Sequence, residues 1–191
     1  RQKMSISRQK KPDVKAMMVQ ACHIANHMIY GYSCFDTDYT GMGTTMVSAV
    51  ALGDEVYVLN VGDSRAYRIT KRKLVQITRD HSLVQDMVDR GEISAEEART
   101  HPRRNVITRA MGIALRVEAD LFDRSWKRGD ILLLCSDGLT GRVDEARIRE
   151  ILQGGGPLDA LADRLVQAAL DAGESDNITV VLAQCEGGSC A

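Results

Sequence analysis

Three aspartates stand where apolar runs give way to turns, and carboxylates so placed can hold a cation or a reacting group. Asp137 follows Ile131-Leu132-Leu133-Leu134-Cys135 and opens Ser136-Asp137-Gly138-Leu139. Asp63 lies in Gly62-Asp63-Ser64-Arg65, and Asp176 in Ser175-Asp176-Asn177-Ile178-Thr179. No His or Cys stands at ligand spacing beside them, so a site built from them would be all oxygen. Such a site suits Mg²⁺ or Mn²⁺ better than Zn²⁺ or copper. Asp63 has a simpler reading as well, a hairpin turn with an Arg–Asp pair.

Two other constellations could do chemistry. Cys135 and Arg142 suggest a thiol phosphatase, but six residues separate them where C-x5-R needs five, and Asp137 would repel a phosphate held there. Cys135 also ends an apolar strand, the usual setting of a structural thiol. His23 and His27 stand four apart on a helical stretch, yet Ile24 occupies the place where H-E-x-x-H requires Glu. Both are expected to be solvated or packed, and His81 and His101 to serve as caps and loop hydrogen-bonding groups.

Those residues need a frame. The chain has 191 residues, 44% of them hydrophobic, enough for one domain with a sizeable core. A net charge of −1 gives no whole-protein case for nucleic acid or anionic membranes. Apolar runs stop far short of the roughly 20 residues that cross a bilayer. Five cysteines without C-x-x-C spacing fit reduced thiols and a cytoplasmic location. Residues 1–12 carry five Lys or Arg and no acid, which suggests a solvated arm. Cys190 belongs to a flexible tail.

A Met-rich helical pattern covers residues 13–30, with Asp13 as its start and Gly31 as its stop, and its stripe is expected in the core. Residues 31–42 read as loop. Short β-branched runs at 43–52, 56–61, 65–70 and 73–78 predict antiparallel hairpins in a meander, the first buried on both faces. Residues 80–112 form a long polar excursion in which Ser94-Ala95-Glu96-Glu97 is a capping box and Pro102 a stop. Strands follow near 117–123 and 130–135, helices at 144–153 and 157–172, and a last strand at 177–184. The fold class is α+β: two packed antiparallel β-sheets flanked by helices.

The segments Gly41-Met42-Gly43-Thr44-Thr45, Val61 to Tyr67, Asp80-His81-Ser82-Leu83, His101-Pro102 with Arg104 to Gly112, Cys135 to Thr140 and Ser175 to Val181 occur in order. Together they resemble the metal-dependent serine/threonine protein phosphatases of the PPM (type 2C) family, bacterial members especially. The resemblance implies a β-sandwich with flanking helices. It implies two divalent cations sharing a water that attacks the phosphate of a phosphoprotein, with room for a third, weaker ion. Asp137 and Asp176 match two ligands of one metal, Asp63 with Asp137 the weaker site, and Ser136, Gly138 and Asn177 the supporting loops. Residues 81–112 match the mobile flap.

Nothing in residues 1–40 matches the family's N-terminal phosphate-gripping Arg or its metal-bridging Asp-Gly-x-Gly-Gly loop; Asp36 and Asp38 stand in another context. The expectation is a single phosphatase-like domain, residues 1–191, that is N-terminally truncated. Weakened metal binding, low activity and open sheet edges prone to swapping or dimerisation would follow. The alternative is an inactive phosphatase-like binding module.

Overall fold

A strand covered on both faces reads as a continuous apolar run. The computed structural model describes residues 13–187 and places Ile131–Cys135 in that position, as the sixth strand, β6. The basic arm of residues 1–12 and Cys190 lie outside the described residues. Strands β1 (Met46–Leu52), β2 (Glu55–Val61) and β5 (Asp120–Ser125) form one antiparallel sheet in the order β1-β2-β5. A second antiparallel sheet has the order β4-β3-β6-β7, from β3 (Arg65–Ile69), β4 (Leu74–Gln76), β6 and β7 (Val180–Gln184).

Alternation along the central strands sorts the core into layers. Val56 and Val58 of β2 meet Ala66 and Leu132 between the sheets, where Trp126 closes one end by donating to the Gly53 carbonyl at 3.1 Å. Leu59 and Val61 turn the other way, onto Met18 and Cys22 of α1 (Val14–Phe35). Ile131, Leu133 and Cys135 pack outward against α5 (Glu145–Gln153) and α6 (Leu158–Asp171). The expected sandwich with helices outside is therefore what forms.

Four local expectations need correction. Helix α1 runs through Gly31 to Phe35, because one glycine costs a helix only about 1 kcal/mol; residues 31–35 are thus not loop. Its stripe is only partly core. Met18, Cys22 and Asn26 are buried, whereas Met17, Ile24 and Met28 lie on a solvent-facing side. Strand β1 is not buried on both faces. It stands at a sheet edge, and Val50 and Leu52 are exposed. Finally, the runs at 43–78 are two hairpins in different sheets rather than one meander. Residues 62–64 carry the chain from β2 in one sheet to β3 in the other.

The excursion between β4 and β5 holds α2 (Leu83–Asp89) and α3 (Ala95–Thr100). The Ser94–Glu97 capping box forms in both directions. Asn26 ties α1 to the end of this excursion. Its Oδ1 accepts from the Gly112 amide at 2.8 Å, and its Nδ2 donates to the Ala114 and Leu115 carbonyls.

Candidate metal centre

Each candidate aspartate owes its place to a break in a strand. After β6 the ladder continues for one more bond, from the Ser136 amide to the Thr179 carbonyl at 3.1 Å. The Ser136 hydroxyl then takes over from backbone: Oγ accepts from the Thr179 amide at 3.0 Å and donates to the Asn177 carbonyl at 3.2 Å. With its partners satisfied, the chain turns into the one-turn helix α4 (Asp137–Thr140), which Asp137 opens. Gly138 is buried, and a Cβ there would lie 2.5 Å from the Asn177 carbonyl oxygen. Glycine is required at this position because the loop bearing Asp176 passes so close.

Asp63 sits in the crossing between the sheets. Gly62 has φ +107°, and a Cβ there would meet Thr45 Cγ2 at 2.4 Å, so the crossing also needs glycine. The expected Arg–Asp pair exists, but with a different aspartate. Arg65 grips Asp80 through Nε at 3.0 and 2.9 Å and Nη2 at 2.6 Å, and spends Nη1 on the Tyr67 hydroxyl. Gln76 donates to the same carboxylate at 3.0 Å. Among the described residues Asp63 has no ion-pair partner, so the Arg–Asp pair expected within its turn does not form.

Asp63 and Asp137 both lie in partly desolvated, negatively charged surroundings. Burial and then the charge of Asp137 push the Asp63 carboxyl up to about 6. Partial desolvation and then the charge of Asp176 raise the Asp137 carboxyl above the ordinary carboxylate range. Negative charge thus accumulates around Asp137 and Asp63, which a divalent cation would relieve. Asp176 orders its own loop, with Oδ1 accepting from the Asn177 amide at 2.7 Å. Among the described residues, no three His, Cys, Asp or Glu side chains close on one point as a ready-made cage. The donors fit Mg²⁺ or Mn²⁺, which keep several waters in their shell and need few protein oxygens.

The other candidates resolve differently. Cys135 is 2% exposed, and burial pushes its thiol up to about 12, so it is no nucleophile at neutral pH. His23 and His27 are exposed on α1 beside a groove of about 610 Å³ that Ile24 and Met28 also line. His101 Nδ1 accepts from the Arg103 amide, a loop role. Asp36 caps the short turn Thr37–Tyr39.

Sequence reading missed His81 as a structural hub. It is 1% exposed; Nδ1 accepts from the Gly62 amide at 3.1 Å, which leaves the proton on Nε2, 3.3 Å from Asp120 Oδ2. Arg109 Nη1 reaches the same aspartate at 3.1 Å. Both ends of the excursion are thus tied to β5 and to the residue preceding Asp63. The pairing of Asp80 with Arg65, fifteen residues apart, has no local signal in the sequence.

Asp63 yields a stability prediction. Its folded pKa is raised, so its favourable contribution is complete below the ordinary carboxylate pKa and is lost as pH rises through about 6. Asp63→Asn should therefore stabilise the metal-free protein at pH 7.5. Allowing for its partial exposure, the gain is about 1 kcal/mol. Urea denaturation should show that gain disappearing towards pH 4; a pH-independent difference would contradict it.

Comparison with known proteins agrees with this geometry. The Protein phosphatase 2C family model matches residues 6–87. The chain is 41% identical over 172 residues to the serine/threonine phosphatase stp of Listeria monocytogenes, covering 90% of this chain and 68% of that protein. Among solved structures it is similar to the serine/threonine phosphatase Stp1 of Staphylococcus aureus, with a TM-score of 0.90 and 42% identity over 93% of this chain and 70% of that one. A TM-score of 0.83 and 36% identity, covering 93% and 74%, relate it to the catalytic domain of the phosphatase PstP in complex with two manganese ions. The chain belongs to the protein phosphatase 2C family of bacterial serine/threonine phosphatases.

Proposed function

We propose that residues 1–191 form one metal-dependent phosphatase domain, which hydrolyses phosphoserine and phosphothreonine in proteins at the Asp63, Asp137 and Asp176 cluster. The observation that carries this is the close approach of the Asp137 turn to the Asp176 loop, joined by the Ser136 bonds to Asn177 and Thr179 and by a Gly138 whose Cβ would meet the Asn177 carbonyl. The relatives are named serine/threonine phosphatases, and one of them holds two manganese ions. Asp137 and Asp176 would hold one ion, and Asp63 with Asp137 a weaker one. When bound, a divalent cation supplies charge that neutralises a phosphate monoester and lowers the pKa of water.

The protein's own part is positioning. Ser136, Gly138 and Asn177 hold the Asp137 and Asp176 segments together, so the oxygens arrive preorganised. Residues 81–112 serve as the flap over substrate, with His81 and Arg109 clasping Asp120 at its base. Either Mg²⁺ or Mn²⁺ suits the donors. The four cysteines of the described residues are free, in keeping with a cytoplasmic enzyme of phosphoprotein signalling. No helix among the described residues is long and apolar enough to cross a membrane. Strands β1 and β7 end their sheets, so a second copy could pair there.

The test is phosphate release from a phosphothreonine peptide and from p-nitrophenyl phosphate. Activity should require Mn²⁺ or Mg²⁺ and stop with EDTA. Binding of Mn²⁺ without any turnover would favour a binding module over an enzyme. Activity indifferent to EDTA would defeat the metal-centred reading.

A further inference from the structure

Glu174 touches none of the chemistry directly, yet it joins the two segments that carry Asp137 and Asp176. Its backbone is fixed by the end of α6. Gly173 takes φ +81° and donates to the Leu170 carbonyl at 2.9 Å, while the Glu174 amide reaches the Ala169 carbonyl at 3.0 Å. This left-handed glycine cap reverses the chain and turns the Glu174 side chain inward. The side chain is 11% exposed.

Both carboxylate oxygens are committed. Oε1 accepts from the Ser175 amide at 2.7 Å and from the Asp176 amide at 2.9 Å. Oε2 lies 3.5 Å from Nε of Arg142, which follows α4 directly after Gly141. Those backbone donors and the guanidinium hold the Glu174 carboxyl below the ordinary carboxylate range. With two N–H donors on one oxygen and a cation beside the other, Glu174 is a holder of the loop rather than a fourth metal ligand.

We infer that Glu174 is a positioning residue: it fixes the backbone of Asp176 and, through Arg142, sets that loop against the Asp137 turn so that the two carboxylates face a shared divalent cation. The inference rests on the proposed metal-binding role of Asp137 and Asp176. The two amides need an acceptor oxygen at the right reach, whereas the Arg142 contact needs the second carboxylate oxygen.

Mn²⁺ titration of the whole chain, followed by the electron paramagnetic resonance of free Mn²⁺, separates the cases. Glu174→Ala removes the acceptor and should weaken Mn²⁺ binding about tenfold, the usual effect of losing a residue that orients a ligand. Glu174→Asp keeps the charge but falls short of both amides, and should lose as much. Glu174→Gln keeps the oxygen that takes the two amides but sets an N–H against Arg142, and should fall between the parent and the Ala variant. A Gln variant as weak as Ala, with Asp unaffected, would overturn the inference in favour of a simple charge effect. Ala and Asp variants that bind like the parent would overturn it as well. Asp176→Asn serves as the control. If it binds Mn²⁺ as tightly as the parent, the metal reading fails and this inference with it. If it is weak while Glu174→Ala is not, only the role of Glu174 falls.

Discussion

Asp137→Asn should cut Mn²⁺-dependent hydrolysis of p-nitrophenyl phosphate by at least about a hundredfold and weaken Mn²⁺ binding to match. Loss of a group that merely orients a ligand costs metal affinity about ten- to a hundredfold, so loss of a central ligand belongs at or beyond the top of that range. Asn keeps the shape and one oxygen, and the backbone bonds that open α4 stay in place. The fold should therefore survive. Metal-free Asp137→Asn should even be slightly more stable than the parent at neutral pH, because partial burial and then the charge of Asp176 disfavour the Asp137 carboxylate. Activity and Mn²⁺ affinity untouched by the substitution would remove Asp137 from the site.

Gly138→Ala should damage both the fold and the cluster. Its new methyl would sit 2.5 Å from the Asn177 carbonyl oxygen, a backbone atom that cannot rotate away. Overpacking of this kind costs about 1–3 kcal/mol. The strain has one ready outlet, separation of the α4 turn from the 176–179 loop, which would also break the Ser136 bonds to Asn177 and Thr179. A displacement near 1 Å at such a centre costs about a hundredfold in rate. Urea denaturation and Mn²⁺ titration should thus fall together. Lost stability with normal Mn²⁺ binding would mean that the close approach serves packing alone.

Much of the architecture was legible because burial leaves a pattern. The unbroken run Ile131–Cys135, bounded by turn residues, fits a buried strand and forms one, and the Ser94–Glu97 capping box forms as written. Asp137 could be found for the same reason, as the first charge after a buried run. Other features have no local signature. Gly62-Asp63-Ser64 reads identically whether the next strand returns to its own sheet or crosses to the other, and the structure takes the crossing. The edge position of β1 depends on which strands pair, so its apolar residues wrongly suggested burial on both faces. Helix α4 is one turn long, too short for any periodicity.

The polar anchors were the hardest to see. Asn26 follows Cys22 by four residues on the buried side of α1, which is the one hint that it must find partners inside. His81 and Asp80 acquire their roles only when residues 60–65, 79–82, 109 and 120 meet in space. Glu174 has no local signal in the sequence; only the reversal at Gly173 aims it at the Asp176 amide.

Diffraction from crystals of this chain soaked in Mn²⁺, measured at the manganese absorption edge, addresses the metal centre most directly. An anomalous peak is expected about 2.0–2.4 Å from carboxyl oxygens of both Asp137 and Asp176. A saturating soak should add weaker density between Asp63 and Asp137. Manganese bound elsewhere, with the Asp137 and Asp176 carboxyls turned away from each other, would contradict the account.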